Sequence, residues 1–182
     1  MEWRNTDERY GMLSAGLHWL MLLLIVAVYA CIDLREMYPK GSDLREGLKI
    51  WHFMLGISVF LLVWIRILAH FVWPVPGTVS APPGWQEHLG TLMHVALYGL
   101  MIALPLLGWL TLGAEGKEIP FFGLQLPALI AEDKNLAGLF KEIHEIGGTA
   151  GYFLIGMHAL AALFHHYFLR DKTLLRMLPT RT

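Results

Sequence analysis

Four long runs of apolar residues, separated by polar segments, dominate the hydrophobicity pattern of this chain. They cover residues 13–32, 48–72, 88–112 and 142–169. Each run has at least the roughly 20 residues that an α-helix needs to cross a bilayer. Because lipid offers no hydrogen bonds to an exposed backbone, helices are the expected structure of such runs. The pattern predicts an all-α integral membrane protein, a four-helix bundle that forms a single domain over residues 1–182.

The composition agrees with a chain surrounded by lipid. The 182 residues are 55% hydrophobic and 16% charged, whereas soluble domains carry about 25% charged residues. A net charge of −1 argues against a nucleic-acid partner. The single cysteine, Cys31, excludes an internal disulfide. The first apolar run is longer than the roughly 7–15 residues of a signal-peptide core, so we expect it to stay in the protein.

The polar segments differ in character. Residues 33–47 form a short charged loop, residues 73–87 a proline- and glycine-rich turn, and residues 113–141 the longest loop. With four spans, both chain ends and the 73–87 turn lie on one face of the membrane, here named the terminal side. The other face is the opposite side. Lysine and arginine are divided evenly between the two, so the positive-inside rule leaves the orientation open.

Six histidines lie inside or at the edge of the predicted spans. Ionisable side chains at membrane depth are costly and usually mark a cofactor, ion or proton site. Two of them, His144 and His158, are about four helical turns apart on one helix, so they share a face at depths about 21 Å apart. The pattern indicates two metal centres stacked across the membrane. The six are His18, His52, His94, His144, His158 and His165.

Alternating helix direction pairs four of these histidines by depth. His52 and His144 lie near the starts of spans that begin on the opposite side, so they occupy one level. His18 lies near the start of span one, on the terminal side, and His158 is deep enough in span four to meet it. Neutral imidazole is a strong iron ligand, and haem iron takes axial ligands from helix-bundle interiors. We therefore predict two haem sites.

Small residues follow three of these histidines by one helical turn. Gly56, Gly148 and Ala162 stand four positions after His52, His144 and His158 and share their faces. A flat macrocycle bound by histidine needs small neighbours there. The alternative is close helix packing through small residues, which is common in membranes.

Basic residues accompany the histidines near both ends of the bundle. Lys49 and Lys141 stand three positions before His52 and His144, where they could attract an anion or pair with haem propionates. The alternative is a pair of snorkelling lysines. Arg66, near the terminal side, could pair with a propionate or simply snorkel.

Two further histidines have open roles. His94 could replace His18 or His158 as a ligand, hydrogen-bond a quinone, or be a core histidine with a protein partner. His165 lies near the terminal-side surface, where it could belong to a polar quinone pocket or to the membrane interface.

Taken together, several motifs resemble the bacterial cytochrome b-561 family, and most closely its superoxide oxidase members. The resemblance covers nearly the whole chain and is most specific in span four. The motifs are His18-Trp19-Leu20, Trp51-His52 with Gly56, His94 with Tyr98, Gly156-Met157-His158-Ala159, His165-His166-Tyr167-Phe168, and the segment from Asp171 to Pro179.

This resemblance implies a dihaem protein of the bacterial inner membrane with both termini cytoplasmic. Two non-covalent haem b groups would have bis-histidine ligation, the outer one by His52 and His144 and the inner one by His18 and His158. Superoxide would give an electron to the outer haem, and ubiquinone would be reduced near the cytoplasmic side. Contacts to the quinone would come from His94, His165 and Arg66. Lipid, ubiquinone and superoxide are the implied partners, with no obligatory protein partner.

Charge on the opposite side departs from this expectation. Its segments carry ten acidic and seven basic residues, which opposes broad attraction of an anion, so only a local cluster around Lys49 and Lys141 could provide it. An alternative function is a membrane-anchor cytochrome b subunit that passes electrons between a docked redox enzyme and the quinone pool. A proton or metal transporter is disfavoured because no internal repeat is visible.

Overall fold

Four long helices form the protein. The structure, a computed structural model, describes residues 3–6, 9–74, 76 and 84–178. The helices are α1 (Met12–Leu34), α2 (Asp43–Val72), α3 (Gly84–Ala114) and α4 (Lys134–Phe164). Each is long and apolar enough to cross a membrane, which confirms the predicted all-α membrane bundle. Most of the proline-rich turn predicted over residues 73–87 lies outside the described residues.

Helices α2 and α4 begin earlier than the apolar pattern predicts. The predicted spans begin at residues 48 and 142, but both helices start before them, because capping side chains extend them into polar sequence. The Ser42 hydroxyl accepts a hydrogen bond from the Arg45 backbone N–H at 3.4 Å. The Asp133 carboxylate accepts from the N–H groups of Asn135 and Leu136 at 2.8 and 3.1 Å. Such caps satisfy backbone donors that the first turn leaves unpaired.

The most extensive helix contacts form two pairs, which α2 and α3 join to each other. Helix α1 packs on α2, α3 packs on α4, and α2 also contacts α3. The tightest cluster contains Met21 of α1 with Val59 and Val63 of α2. Many large apolar side chains, among them Leu23 and Phe153, are exposed. A helix that is apolar all round is typical of a membrane span, where this outer surface faces lipid.

A short hairpin covers part of the opposite-side end of the bundle. Strands β1 (Ile119–Phe121) and β2 (Leu124–Leu126) pair antiparallel. Both turn residues, Phe122 and Gly123, have positive φ, as a tight two-residue hairpin requires. Ile119 is buried against Ile57 of α2 and Leu112 of α3. The segment over residues 113–141, predicted as the longest loop, therefore holds this hairpin and the first turns of α4.

Segments near both chain ends are tied to the terminal side of the bundle. The Asn5 amide donates to the Pro74 carbonyl at 3.0 Å and accepts from the Gly11 N–H at 2.9 Å. The Trp19 indole donates to the Met177 carbonyl at 2.7 Å. Beyond α4, a π-helical turn (His165–Leu169) and a short 3₁₀ turn (Leu175–Met177) lead the chain back to α1. These contacts attach the described segments near both chain ends to the terminal side of the bundle.

Candidate functional site

A cavity of about 380 Å³ runs between the four helices. Its walls are mainly apolar, and they include histidines from both of the depths that the sequence predicts. One continuous space therefore connects the two levels. The polar residues on which the site depends are His18, His52, His94, His144, His158 and Arg66.

On the opposite side, one imidazole from α2 faces one from α4. The ring centroids of His52 and His144 are 6.1 Å apart, and their planes make an angle of 74°. Two imidazoles that share one metal, with each nitrogen bond about 2.0–2.1 Å long, have centroids roughly 6 Å apart when they are collinear. The pair thus has the separation of two axial ligands.

Backbone carbonyls orient both rings. His52 Nδ1 lies 3.0 Å from the Val28 carbonyl oxygen of α1, and His144 Nδ1 lies 2.8 Å from the Leu104 carbonyl oxygen of α3. A carbonyl only accepts, so Nδ1 carries the proton in each ring, and Nε2 keeps a lone pair. In histidines that bind a metal through one ring nitrogen, the other nitrogen commonly donates to a backbone carbonyl in this way. The sequence could not reveal these partners, because any residue type supplies a carbonyl.

On the terminal side, three histidines approach one another. The His18 and His158 centroids are 6.3 Å apart with planes at 66°. The His94 and His158 centroids are closer, at 5.4 Å and 80°. The His94 Nδ1 is bonded within its own helix, 2.7 Å from the Gly90 carbonyl oxygen. The His18–His158 separation matches that of the other pair, while His94 lies beside it. The ligand roles of all four histidines stay predictions.

Arg66 points into the bundle and contacts two polar side chains at this level. Its Nε donates to the Tyr98 hydroxyl at 2.9 Å, and its Nη1 lies 3.0 Å from His18 Nδ1. The guanidinium also lies 5.8 Å from the centre of the Tyr98 ring. Tyr98 was missed as a partner of Arg66, although its position one turn after His94 on the same face could have indicated it.

Two of the three predicted small residues line the cavity. A methyl group built on Gly56 or Gly148 would meet no protein atom within 4 Å, and both residues border the open space. Ala162 does not border it. The open space beside His52 and His144 fits a haem held by two histidines. Each ring also keeps an Nε2 lone pair that could bind its iron. His18 and His158 offer the same separation for a second haem, with a cation, Arg66, at its edge.

The two predicted lysines have different surroundings. Lys49 Nζ is 2.6 Å from the Glu46 carboxylate, so its charge is locally compensated. Lys141 Nζ is 3.8 Å from Glu145. Lys141 also borders a surface pocket together with Lys117 and Lys134. That pocket also contains Glu115, whose carboxylate is 2.8 Å from Lys117 Nζ, so Lys141 and Lys134 supply its net positive charge.

The structure does not bring His165 into the cavity with Arg66 and His94. It lies at the terminal side, where its Nδ1 is 2.5 Å from a carboxylate oxygen of Asp171. Burial disfavours the charged form of Asp171, but hydrogen bonds from His165 and Thr173 outweigh it and hold the pKa of this carboxyl below its ordinary value. This hydrogen bond could not be predicted from the sequence, because Asp171 lies beyond the end of α4 and its position depends on the turn that follows.

Two tyrosines, Tyr29 of α1 and Tyr152 of α4, join these helices in a contact that the sequence did not predict, here named the clasp. The Tyr29 hydroxyl donates to the Gly148 carbonyl at 2.8 Å, and the Tyr152 hydroxyl donates to Asp33 at 2.7 Å. The two phenol rings are 4.2 Å apart between centroids. A methyl group on Gly151 would clash with the Tyr29 hydroxyl oxygen, so the Tyr29 side chain would have to move for any larger residue at this crossing. The clasp sets the spacing of α1 and α4 beside the His52–His144 pair.

Known proteins resemble the chain over nearly its whole length. The family model for prokaryotic cytochrome b561 matches residues 9–180. The chain is 39% identical over 174 residues to cytochrome b561 homolog 1 of Escherichia coli (strain K12), covering 96% of this chain and 99% of that protein. It is 38% identical over 174 residues to a Yersinia pestis protein named probable superoxide oxidase CybB, covering 96% and 98%. A third relative, cytochrome b561 homolog 2 of Escherichia coli (strain K12), is 31% identical over 186 residues and is covered to 95%.

Proposed function

Since this chain belongs to the prokaryotic cytochrome b561 family of membrane electron-transfer proteins, we propose that it carries electrons across the bacterial inner membrane from superoxide to ubiquinone. The name of the Yersinia pestis relative supports the donor. Under this proposal the opposite side faces outward, and the termini are cytoplasmic. The protein is then a superoxide:ubiquinone oxidoreductase.

The observation that carries the proposal is the pair of histidine couples at two depths of one cavity. His52 and His144 would hold an outer haem b, and His18 and His158 an inner one. When bound, the haems would supply one-electron carriers at the two levels. The carbonyls of Val28 and Leu104 orient the outer ligands, and the apolar helix walls exclude water from the route between the two levels.

Cationic side chains near the outer level support an anionic donor. Lys141, one helical turn before His144, shares a surface pocket with Lys134 and with Lys117, which is paired with Glu115. Superoxide is a small anion, and a local positive potential raises the rate at which an anion meets a site. Lys49, paired with Glu46, would contribute less. These lysines could attract superoxide locally, although the opposite-side segments carry a net negative charge.

Polar residues at the inner level support an acceptor site for ubiquinone. Arg66 and His94 border the cavity beside His158, and His165 lies further toward the terminal surface. We assign Arg66 to a haem propionate or the quinone, and His94 and His165 to the quinone. Arg66 is a cation within a membrane span that contacts His18 and Tyr98, and an anionic group of a bound molecule would neutralise its charge.

The experiment that tests the proposal uses the purified protein in detergent or nanodiscs. Haem quantification should find two haems per chain, with the optical spectrum of low-spin bis-imidazole iron. Added superoxide should then reduce the haems, and a short-chain ubiquinone should reoxidise them. A protein with both haems that superoxide fails to reduce would favour the membrane-anchor function, in which a docked enzyme is the donor.

Removal of single lysine charges can distinguish attraction of superoxide by Lys141 from a general effect of the protein's charge. Lys141→Gln should lower the rate of haem reduction by superoxide several-fold at low ionic strength, and added salt should shrink the difference because it screens exposed charges. Lys172→Gln removes the same charge on the terminal side and serves as the matched control. Equal rates in Lys141→Gln and the wild type would argue against this lysine as the attracting group.

A further inference from the structure

Charged side chains border the central cavity unevenly. Asp33 of α1 and Glu145 of α4 lie near its opposite-side end, and Arg66 of α2 lies near its terminal-side end. Apart from the histidines, the other described residues that line the cavity carry no ionised group at neutral pH. Arg66 stands 14 residues after His52 on α2, so it lies about 21 Å further along the helix axis. One mainly apolar space therefore has negative charge at one end and positive charge at the other.

The clasp between α1 and α4 fixes the position of Asp33. The Tyr152 hydroxyl donates to the Asp33 carboxylate at 2.7 Å. Tyr29, one helical turn before Asp33, donates to the Gly148 carbonyl at 2.8 Å and packs against the Tyr152 ring. Gly148 in turn stands one helical turn after His144. The carboxylate is thus held beside the level of the outer histidine pair.

The two acidic residues differ in how much of their charge is compensated. The partner of Asp33 is a neutral phenol, so the hydrogen bond positions the carboxylate without cancelling its charge. Glu145 directly follows His144, and one of its carboxylate oxygens is 3.8 Å from Lys141 Nζ. That cation offsets part of the Glu145 charge. Asp33 is therefore the stronger source of negative potential at this end of the cavity.

Charge of this kind acts on an iron centre in a defined direction. A nearby negative charge favours the ferric form, which carries one more positive charge than the ferrous form, and so lowers the reduction potential. A nearby positive charge favours the ferrous form and raises the reduction potential. Asp33 borders the outer level of the cavity, and Arg66 borders the inner level. The two ends of the cavity should therefore affect a bound haem in opposite directions.

We propose that Asp33, held by Tyr152 and assisted by Glu145, lowers the reduction potential of the outer haem below that of the inner haem. This inference rests on the proposed function, in which electrons enter at the outer level and leave at the inner level. One electron leaves the outer iron, which is oxidised, and reaches the inner iron, which is reduced, and the transfer involves no proton or covalent bond. The difference in potential directs this electron inward.

Redox titration of haem-loaded protein in nanodiscs tests the inference. His18→Ala, which we expect to keep only the outer haem, gives a single transition. Adding Asp33→Asn to this background should raise the ratio of reduced to oxidised haem about threefold at a fixed potential, a modest change because the carboxylate is exposed. At 59 mV per tenfold change for a one-electron couple, this is a shift of about 30 mV.

The position of the charge can be tested in the same way. In the His144→Ala background, which should keep only the inner haem, Asp33→Asn should leave the potential unchanged. In the protein with both haems, Asp33→Asn should raise only the lower of the two potentials. Added salt should shrink the difference from the wild type, because it screens an exposed charge.

Three further variants separate the charge from the packing of the clasp. Asp43→Asn removes the same charge at the start of α2 without bordering the cavity, so it should match the wild type. Tyr152→Phe keeps the carboxylate but removes its hydrogen bond, so it should shift the potential less than Asp33→Asn. Glu145→Gln should raise the potential of the outer haem, but by less than Asp33→Asn, since Lys141 offsets part of its charge.

An unchanged outer potential in Asp33→Asn would overturn the inference. So would a shift that salt does not alter, or an equal shift in Tyr152→Phe, since either would assign the effect to altered packing. If Asp33→Asn binds no outer haem, the inference stands or falls on Glu145→Gln, where an unchanged potential would overturn it. The titration uses neither superoxide nor quinone, so a different donor would refute the proposed function and leave this result intact. Fewer than two haems in the wild type would overturn both.

Discussion

His52 of α2 and His144 of α4 face each other across the bundle with ring centroids 6.1 Å apart. Each Nδ1 is bonded to a backbone carbonyl of a third or fourth helix, Val28 in α1 for one ring and Leu104 in α3 for the other. All four helices therefore meet at this one pair. Because each ring is held by a backbone carbonyl, this pair is the one that we propose to hold the outer haem.

Replacement of one ligand should remove one haem and leave the other. We expect His144→Ala to bind one haem per chain instead of two, because the terminal-side pair shares no ligand with it. Haem extraction and quantification measure the ratio. His88→Ala, at the exposed start of α3, is the control and should keep both haems. Retention of two haems in His144→Ala would show that the pairing is wrong.

The terminal-side pair can be tested against its nearest competitor. His18 and His94 both approach His158, at 6.3 and 5.4 Å between centroids. Since the His18 separation matches that of the other pair, His18→Ala should lose the inner haem, whereas His94→Ala should keep it. Haem content together with the low-spin spectrum measures both variants. The reverse result would make His94 the ligand and leave His18 as the partner of Arg66.

Substitutions of two glycines on α4 can distinguish space needed for a haem from space needed for helix packing. Gly148→Val should lower haem loading while the helical content stays normal, because the Cβ at this position has no protein atom within 4 Å and the side chain would occupy the cavity. Gly156→Val is the matched control: it has the same open surroundings on the same helix but does not border the cavity. Equal loading in both variants would indicate that Gly148 has no part in holding a haem.

Substitution of Gly151 should affect stability, because a side chain there would meet the Tyr29 side chain. Gly151→Ala places a methyl group against the Tyr29 hydroxyl and should break the bond from Tyr29 to the Gly148 carbonyl. Overpacking of this kind lowers stability by about 1–3 kcal/mol. Thermal unfolding measures the change, and Tyr29→Phe in the same chain should recover part of it by removing the clashing oxygen. Additive losses in the double variant would contradict the clasp.

Order in the terminal turn should depend on pH through Asp171. Its pKa is lower in the folded chain than the ordinary value of 3.8, so the carboxylate stabilises the fold at neutral pH, and this contribution is lost as the pH falls through the folded pKa. The NMR indole signal of Trp19, which donates to Met177 in the same terminal segment, reports the change. In Asp171→Asn the signal should lose this acid-dependent step. An unchanged step would assign it to another group.

The spans and the faces of the histidines could be predicted because both depend on local sequence. Hydrophobicity over one helix decides whether it spans, and a rotation of 100° per residue decides that His144 and His158 share a face. The helix starts were less predictable, since the caps at Ser42 and Asp133 lie in polar sequence outside the apolar runs. The hairpin was missed because its strands are only three residues long.

The sequence by itself determined that four helices cross the membrane and that imidazoles stand on them at two depths, because helix periodicity and the cost of leaving water act along the chain. Only the tertiary structure decided which side chains and carbonyls meet across helices. Examples are the carbonyls that orient His52 and His144, the inward Arg66, and the return of Asp171 onto His165. These contacts join residues on different helices or across a turn, and their distances depend on how the helices pack and how the chain leaves them, which no local pattern records.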